Sequence, residues 1–170
     1  MIVITGAAGF IGSCLVSKFN SINVFDLILV DNFSNDLKKA NLFGKKFFKK
    51  IDRDFFVDWL QKNSSKVSIV YHIGARTDTI ESNVEIFNEL NLFYSKKLWN
   101  ICSQAKIPFI YASSAATYGM GEFGFDDDHK YVNKLKPLNP YANSKNDFDK
   151  WVLKQSSMPP YWAGFKFFNI

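Results

Sequence analysis

The sequence predicts a doubly wound α/β domain, a parallel sheet of about six strands with helices on both faces. Three observations predict it. The chain opens on a short β-branched run, Ile2-Val3-Ile4, followed by glycines at Gly6, Gly9 and Gly12 and then by an amphipathic helical pattern. Apolar strand-like runs alternate with helical patterns almost to the end, which implies crossover connections and parallel pairing. The 170 residues, 47% of them hydrophobic, suffice for one core, so residues 1–170 are expected to form a single domain.

The first helix is expected where Ile11, Leu15, Val16 and Phe19 recur at helical spacing. Val24 to Asp31 reads as the second strand and Lys45 to Ile51 as a weaker, lysine-rich third. Arg53 to Gln61 has helical spacing at Phe56, Trp59 and Leu60. Val67 to His72 is the fourth strand. A long helix is predicted from about Asn83 to Ala105, since Phe87, Leu90, Tyr94, Leu98, Ile101 and Ala105 recur every three or four residues. Ile107 to Ser113 is the fifth strand, with Pro108 near its start. Residues 119–138 hold glycines, Asp126-Asp127-Asp128 and a proline, and read mostly as loop. A helix follows from about Tyr141 to Gln155. Pro159 and Pro160 break it, and Trp162 to Ile170 is the sixth strand. The default order for this pattern is 3-2-1-4-5-6.

Composition narrows the function classes. The formal charge is +5, but the lysines are spread in pairs without a nucleic-acid-binding motif, so they read as solvated surface and no nucleic-acid partner is expected. Cys14 and Cys102 lack metal spacing and read as buried or half-buried reduced thiols within helices; no metal is expected. The chain starts on a strand rather than a basic leader, and no apolar run approaches the roughly 20 residues that span a bilayer. A soluble, cytoplasmic protein with no membrane partner is the expectation.

Ligands of such sheets sit at the carboxyl ends of the strands. That directs attention to Thr5–Gly12, Asp31, residues 72–77, residues 113–117 and Asn169. Strand, glycine turn and helix place free N–H groups and the positive helix end against a phosphate. The spacing is G-x-x-G-x-x-G, so an ordinary tight βα turn is the alternative. Asp31 at the end of the second strand suits a ribose 2′-hydroxyl and hence NAD, whereas Lys38 and Arg53 suit a 2′-phosphate and NADP. Gly74 and Ala75 are small where the backbone would pass a cofactor, and Arg76, Thr77 and Asp78 follow. His72 reads as a hydrogen-bonded structural residue rather than a catalyst.

The strongest joint signal is Ser113-Ser114 after the fifth strand with Tyr141-x-x-x-Lys145 on the next helix. A tyrosine serving as base near neutrality must fall about three units below its usual pKa near 10. Lys145, one helical turn on, shares its face and is expected to lower it. Ser114 can hydrogen-bond the reacting hydroxyl.

These residues resemble the extended short-chain dehydrogenase/reductase superfamily, which has a Rossmann fold. More narrowly, the chain resembles the ADP-L-glycero-D-manno-heptose 6-epimerase family. The resemblance is carried by MIVITGAAGFIGS, LILVDN, HIGA, IPFIYASSAATYG, KPLNPYANSK and FKFFN, and it spans the whole chain. Ala115 and Ala116 after Ser114 favour an epimerase over a dehydratase.

The resemblance implies an NADP-preferring, cytoplasmic, homo-oligomeric isomerase of lipopolysaccharide core synthesis. Such an enzyme inverts C6 of ADP-heptose through transient oxidation. Ser114, Tyr141 and Lys145 would be catalytic. Gly6, Gly9, Phe10, Ile11, Gly12, Asp31, Asn32, Lys38, Arg53, Ile73, Gly74, Ala75, Arg76, Thr77, Asn91, Lys145 and Ile170 would hold the cofactor, and Ser114 and Asn169 would touch substrate. Arg53 stands where the family has lysine, and Leu90 replaces an asparagine while Asn91 remains. Family members continue for well over a hundred residues past this point. The resemblance therefore implies that most of a substrate domain, with a second acid–base lysine, is missing, and that this chain binds NADP without epimerising. The alternatives are a non-catalytic dinucleotide-binding fragment and another nucleotide-sugar epimerase.

Overall fold

The computed structural model describes residues 1–34 and 36–168, with the backbone alone at 36, 37 and 39. Six parallel strands form one sheet in the order β3-β2-β1-β4-β5-β6. They are β1 (Ile2–Thr5), β2 (Leu27–Asp31), β3 (Lys49–Asp52), β4 (Ile69–His72), β5 (Phe109–Ser114) and β6 (Trp162–Phe167). The expected class and strand order are therefore observed. The order reverses between β1 and β4, which opens a crevice at their carboxyl ends.

Both faces of the central strands are buried, which explains their unbroken apolar runs. Val3, Ile28, Val30 and Val70 point to one side. There they meet Phe56 and Leu60 of α2 (Arg53–Asn63), Leu98 and Trp99 of α4 (Tyr94–Ala105), and Phe148 and Val152 of α6 (Pro140–Val152). Ile4, Leu27 and Leu29 point the other way, against Val16 of α1 (Phe10–Ser21) and Leu42 at the end of a 3₁₀ turn, Asp36–Leu42.

Four expected strands start late, β4 and β5 by two residues and β2 and β3 by three and four. Val24 donates its N–H to the Phe19 carbonyl, and Asn23 is left-handed at φ 60°, so residues 23 and 24 close α1 rather than begin β2. Lys46 N–H donates to Asn20 Oδ1 at 2.7 Å, which ties that segment to the end of α1 before β3 begins. The sixth strand ends at Phe167, and its expected last two residues, Asn169 and Ile170, lie outside the described residues.

The long helix expected over 83–105 is not uniform. Asn83 caps Glu85 N–H and starts α3 (Val84–Phe87). The chain then widens into a π-type segment, Asn88–Phe93, before α4. Asn91 explains the widening. Its carboxamide faces inward, accepting from Arg76 N–H at 2.7 Å and donating to Arg76 O at 2.9 Å and Ser144 Oγ at 3.0 Å. Such single wide turns occur where a side chain must leave the regular ladder. The 119–138 stretch is mostly loop as expected, with one helical turn, α5 (His129–Val132), capped by Asp128.

Candidate active site

The glycine turn is built by close backbone packing. Gly6 is left-handed at φ +66°, and a Cβ there would lie 2.6 Å from Gly74 Cα. A Cβ on Gly12 would lie 2.2 Å from the Gly6 carbonyl oxygen, so only glycine lets α1 start against the turn. Gly9 caps α1 without a side-chain acceptor, which leaves the first helical N–H groups for a ligand. The crevice above is a cavity of about 860 Å³, large enough for a dinucleotide.

Most residues read from the sequence meet in that cavity. Gly6, Gly9, Phe10, Ile11 and Gly12 line it from the first turn, and Asp31, Asn32, Lys38 and Arg53 from the β2–β3 side. Ile73, Gly74, Ala75, Arg76 and Thr77 line it after β4, with Ser114, Tyr141 and Lys145 opposite. Asn91 does not line it. It lies buried behind Arg76 and holds the backbone that does, so the expected cofactor contact is a support instead. Cys14 is another departure: it lies on the outer side of α1 and is exposed, whereas Cys102 is buried and its thiol is pushed up to about 12.

Asp31 is held on both oxygens. Oδ2 accepts from Ala8 N–H at 2.9 Å; Oδ1 accepts from Asn32 N–H at 2.8 Å and from Lys38 Nζ at 3.0 Å. It thus fixes the glycine turn and is neutralised by Lys38. Arg53 adds a further positive charge at this end of the cavity.

Asn139 accepts from Ala142 N–H at 2.8 Å, and Pro140 occupies the first position of α6, so the helix start is well defined. Tyr141 and Lys145 then point to the end of β5. Burial pushes the Tyr141 phenol above its usual range, and the Ser114 hydroxyl beside it pulls it back down. The sequence-based expectation that Lys145 lowers this phenol is not met by the chain alone. Lys145 is itself buried and held down to about 8, chiefly by burial, with Asp149 opposing the shift. Lys145 therefore still carries its proton near neutrality, yet burial and the Ser114 hydroxyl are what set the Tyr141 phenol.

His72 stands as expected. Its Nδ1 is 2.7 Å from Thr5 Oγ1 and its Nε2 2.8 Å from Ser95 Oγ, and Ser95 donates to Asn91 O. Gly74 N–H donates to the same Thr5 oxygen at 3.1 Å. Burial first, then Lys145, holds the ring down to about 3, so it is neutral at ordinary pH.

Sequence reasoning missed Asp149 and Lys166. Asp149 accepts from Tyr111 Oη at 2.9 Å, Ser113 Oγ at 2.7 Å and Lys166 Nζ at 2.8 Å, binding β5, α6 and β6 together under Ser114. The signal was present: Asp149 follows Lys145 by four residues and therefore shares its helix face. Leu90, Tyr94, Phe167 and Phe168 also line the cavity unforeseen.

A parallel sheet that reverses at β1/β4, a glycine turn under a large cavity, and a Ser–Tyr–Lys set on β5 and α6 place the chain in the Rossmann-like class of folds. The chain belongs to the NAD dependent epimerase/dehydratase family, whose model matches residues 2–159. Within it, the chain is 42% identical over its whole length to the ADP-L-glycero-D-manno-heptose-6-epimerase of Fusobacterium nucleatum, covering 52% of that protein. It is 40% identical to that of Nitratidesulfovibrio vulgaris, covering 53%. The Helicobacter pylori ADP-L-glycero-D-manno-heptose-6-epimerase crystal structure superposes with a TM-score of 0.83 at 29% identity, over 99% of this chain and 55% of that one. The chain spans about half the length of the curated relatives it matches.

Proposed function

We propose that this chain is the cofactor-binding and hydride-transfer half of an ADP-L-glycero-D-manno-heptose 6-epimerase, with NADP as cofactor. The observation that carries the reading is the convergence of Ser114, Tyr141 and Lys145 in the cavity whose opposite wall is the glycine turn. The names and identities of the relatives support the sugar.

The residues fit a dinucleotide. The uncapped first turn of α1 suits its pyrophosphate, and Gly74 and Ala75 leave room beside it. Asp31 already accepts from Ala8, Asn32 and Lys38. Lys38 and Arg53, paired with Asp31 and Asp54, line the same end of the cavity and are within reach of a 2′-phosphate that would compete for them. That balance favours a 2′-phosphate, hence NADP over NAD. A nicotinamide held here would supply reversible hydride transfer at the sugar carbon. Tyr141 Oη takes the proton of the sugar hydroxyl, Ser114 Oγ holds that hydroxyl in place, and the charged form of Lys145 stabilises the phenolate. A positively charged ring nearby would supply the lowering of the phenol that the chain alone lacks. Inversion also needs the hydride returned to the opposite face of the ketone, with an acid placed to protonate its oxygen in that turned orientation. We expect these 170 residues alone to bind NADP and leave C6 uninverted.

Titration of NADP and NAD against tryptophan fluorescence tests the cofactor. NADP should bind more tightly, and Lys38→Ala should weaken NADP roughly tenfold or more while sparing NAD. Failure of both dinucleotides to bind below about millimolar would end the reading. Incubation with the ADP-D-glycero-heptose epimer tests turnover, and adding a relative's carboxyl-terminal half as a separate chain asks for rescue. Cofactor binding without rescue would favour a plain dinucleotide-binding module.

A further inference from the structure

At the opposite end of the sheet, the start of β2 and the approach to β3 form one apolar and basic surface. Two segments are stitched together there. Asn20 Nδ2 donates to Lys46 O at 2.8 Å, Lys46 N–H returns to Asn20 Oδ1 at 2.7 Å, and Lys45 Nζ donates to Ser17 Oγ at 2.5 Å. Phe48 N–H donates to Leu27 O at 3.0 Å. On this surface Phe43 is 90% exposed, Phe48 68%, Ile22 54% and Phe25 38%, and Lys46 Nζ lies 5.2 Å over the Phe25 ring.

The charge of this surface is one-sided. Residues 17–25 and 43–50 carry five lysines (18, 45, 46, 49 and 50) and no Asp or Glu. The remaining sixteen Lys and Arg residues equal the sixteen acidic ones, so these two segments carry a formal charge equal to the whole excess of +5. Lys49 and Lys50 lie on opposite faces of the edge strand, with Lys50 over Phe33 and Phe47. The nearest acid, Asp26, is engaged by the terminal amine at 3.1 Å. Lysines at an edge strand guard it against pairing, which accounts for Lys49 and Lys50. It does not account for bare phenylalanines among them.

We propose that this surface docks on an anionic lipid bilayer, with Phe43 and Phe48 entering the headgroup boundary and the lysines meeting lipid phosphates. A second copy would set five positive charges against five, which opposes self-pairing. A nucleic acid would satisfy the lysines but leave Ile22 against a charged backbone. Buried apolar side chains plus lysines are the pair of terms that hold a peripheral protein on a membrane. The cavity opens at the other end of the strands, so docking would leave it accessible. This inference is separate from the choice of nucleotide or sugar.

Co-sedimentation with phosphatidylcholine vesicles, with and without phosphatidylglycerol, tests it. The protein should pellet with the anionic vesicles and stay in solution with the neutral ones. Lys46→Gln with Lys49→Gln should lower the partition about thirtyfold, as should raised salt in part. Phe43→Ser with Phe48→Ser should lower it further, while dinucleotide titration of each variant confirms an intact fold. Equal binding to neutral vesicles, no binding, or unchanged partition in either variant would overturn the proposal. So would capture by an oligonucleotide in place of vesicles, or a dimer on size exclusion that Phe43→Ser abolishes.

Discussion

Lys145→Met should make this protein more stable. Lys145 is buried and titrates near 8 instead of 10.5, mainly because its ammonium has lost water. At about 1.4 kcal/mol per unit, the difference amounts to about 3 kcal/mol. Below pH 8 both the folded and the unfolded chain carry the proton, and the folded state bears the full cost of the buried charge. Between about 8 and 10.5 the unfolded chain keeps the proton that the folded chain has released, so the contribution of this group to stability rises with pH. Methionine keeps the stem and removes the ammonium. Urea unfolding of both proteins at several pH values is the assay. The variant should exceed the wild type by up to about 3 kcal/mol at pH 7, and the gap should close towards pH 10. Asp149 retains Lys166 as a partner, so the substitution does not strand a carboxylate. A variant no more stable at pH 7, or a gap independent of pH, would refute the reasoning.

Three further outcomes follow from the same geometry. Because His72 is held near 3 from 6.5, the folded chain refuses a proton that the unfolded chain accepts; stability should fall as pH drops through this window, by up to about 5 kcal/mol, and the slope should flatten in His72→Gln. Gly12→Ala should cost at least about 2 kcal/mol in denaturant unfolding and weaken dinucleotide binding, because its Cβ would meet the Gly6 backbone. Asp149→Ala should cost about 3–5 kcal/mol by the same assay, since Lys166, Tyr111 and Ser113 would lose their shared acceptor; a cost below about 1 kcal/mol would deny the network its role.

The sheet was legible because its strands are buried on both faces and so read as bare apolar runs between helical patterns. Gly6, Asp31, Ser114, Tyr141 and Lys145 were legible because each occupies the carboxyl end of a strand or the helix beside it. The strand starts were not, since side chains distant in sequence set them: Asn20 decides where β3 begins. Asn91 came only from the resemblance, as the neighbour of a missing family asparagine, and a resemblance does not report the wide turn that directs its carboxamide to Arg76 and Ser144. The pKa of Tyr141 was misjudged because spacing along a helix reports proximity to Lys145 and not how much water either group has lost.

The short path from Thr5 through His72 and Ser95 to Asn91 has a consequence for its hydrogens. Ser95 gives its own proton to the Asn91 carbonyl, so towards the imidazole its oxygen can only accept. The ring must therefore carry hydrogen on Nε2 and present a lone pair at Nδ1, where Thr5 donates. One tautomer satisfies every partner, and all three protons run in a single direction, from β1 towards α4. A nitrogen-15 spectrum should show that tautomer alone.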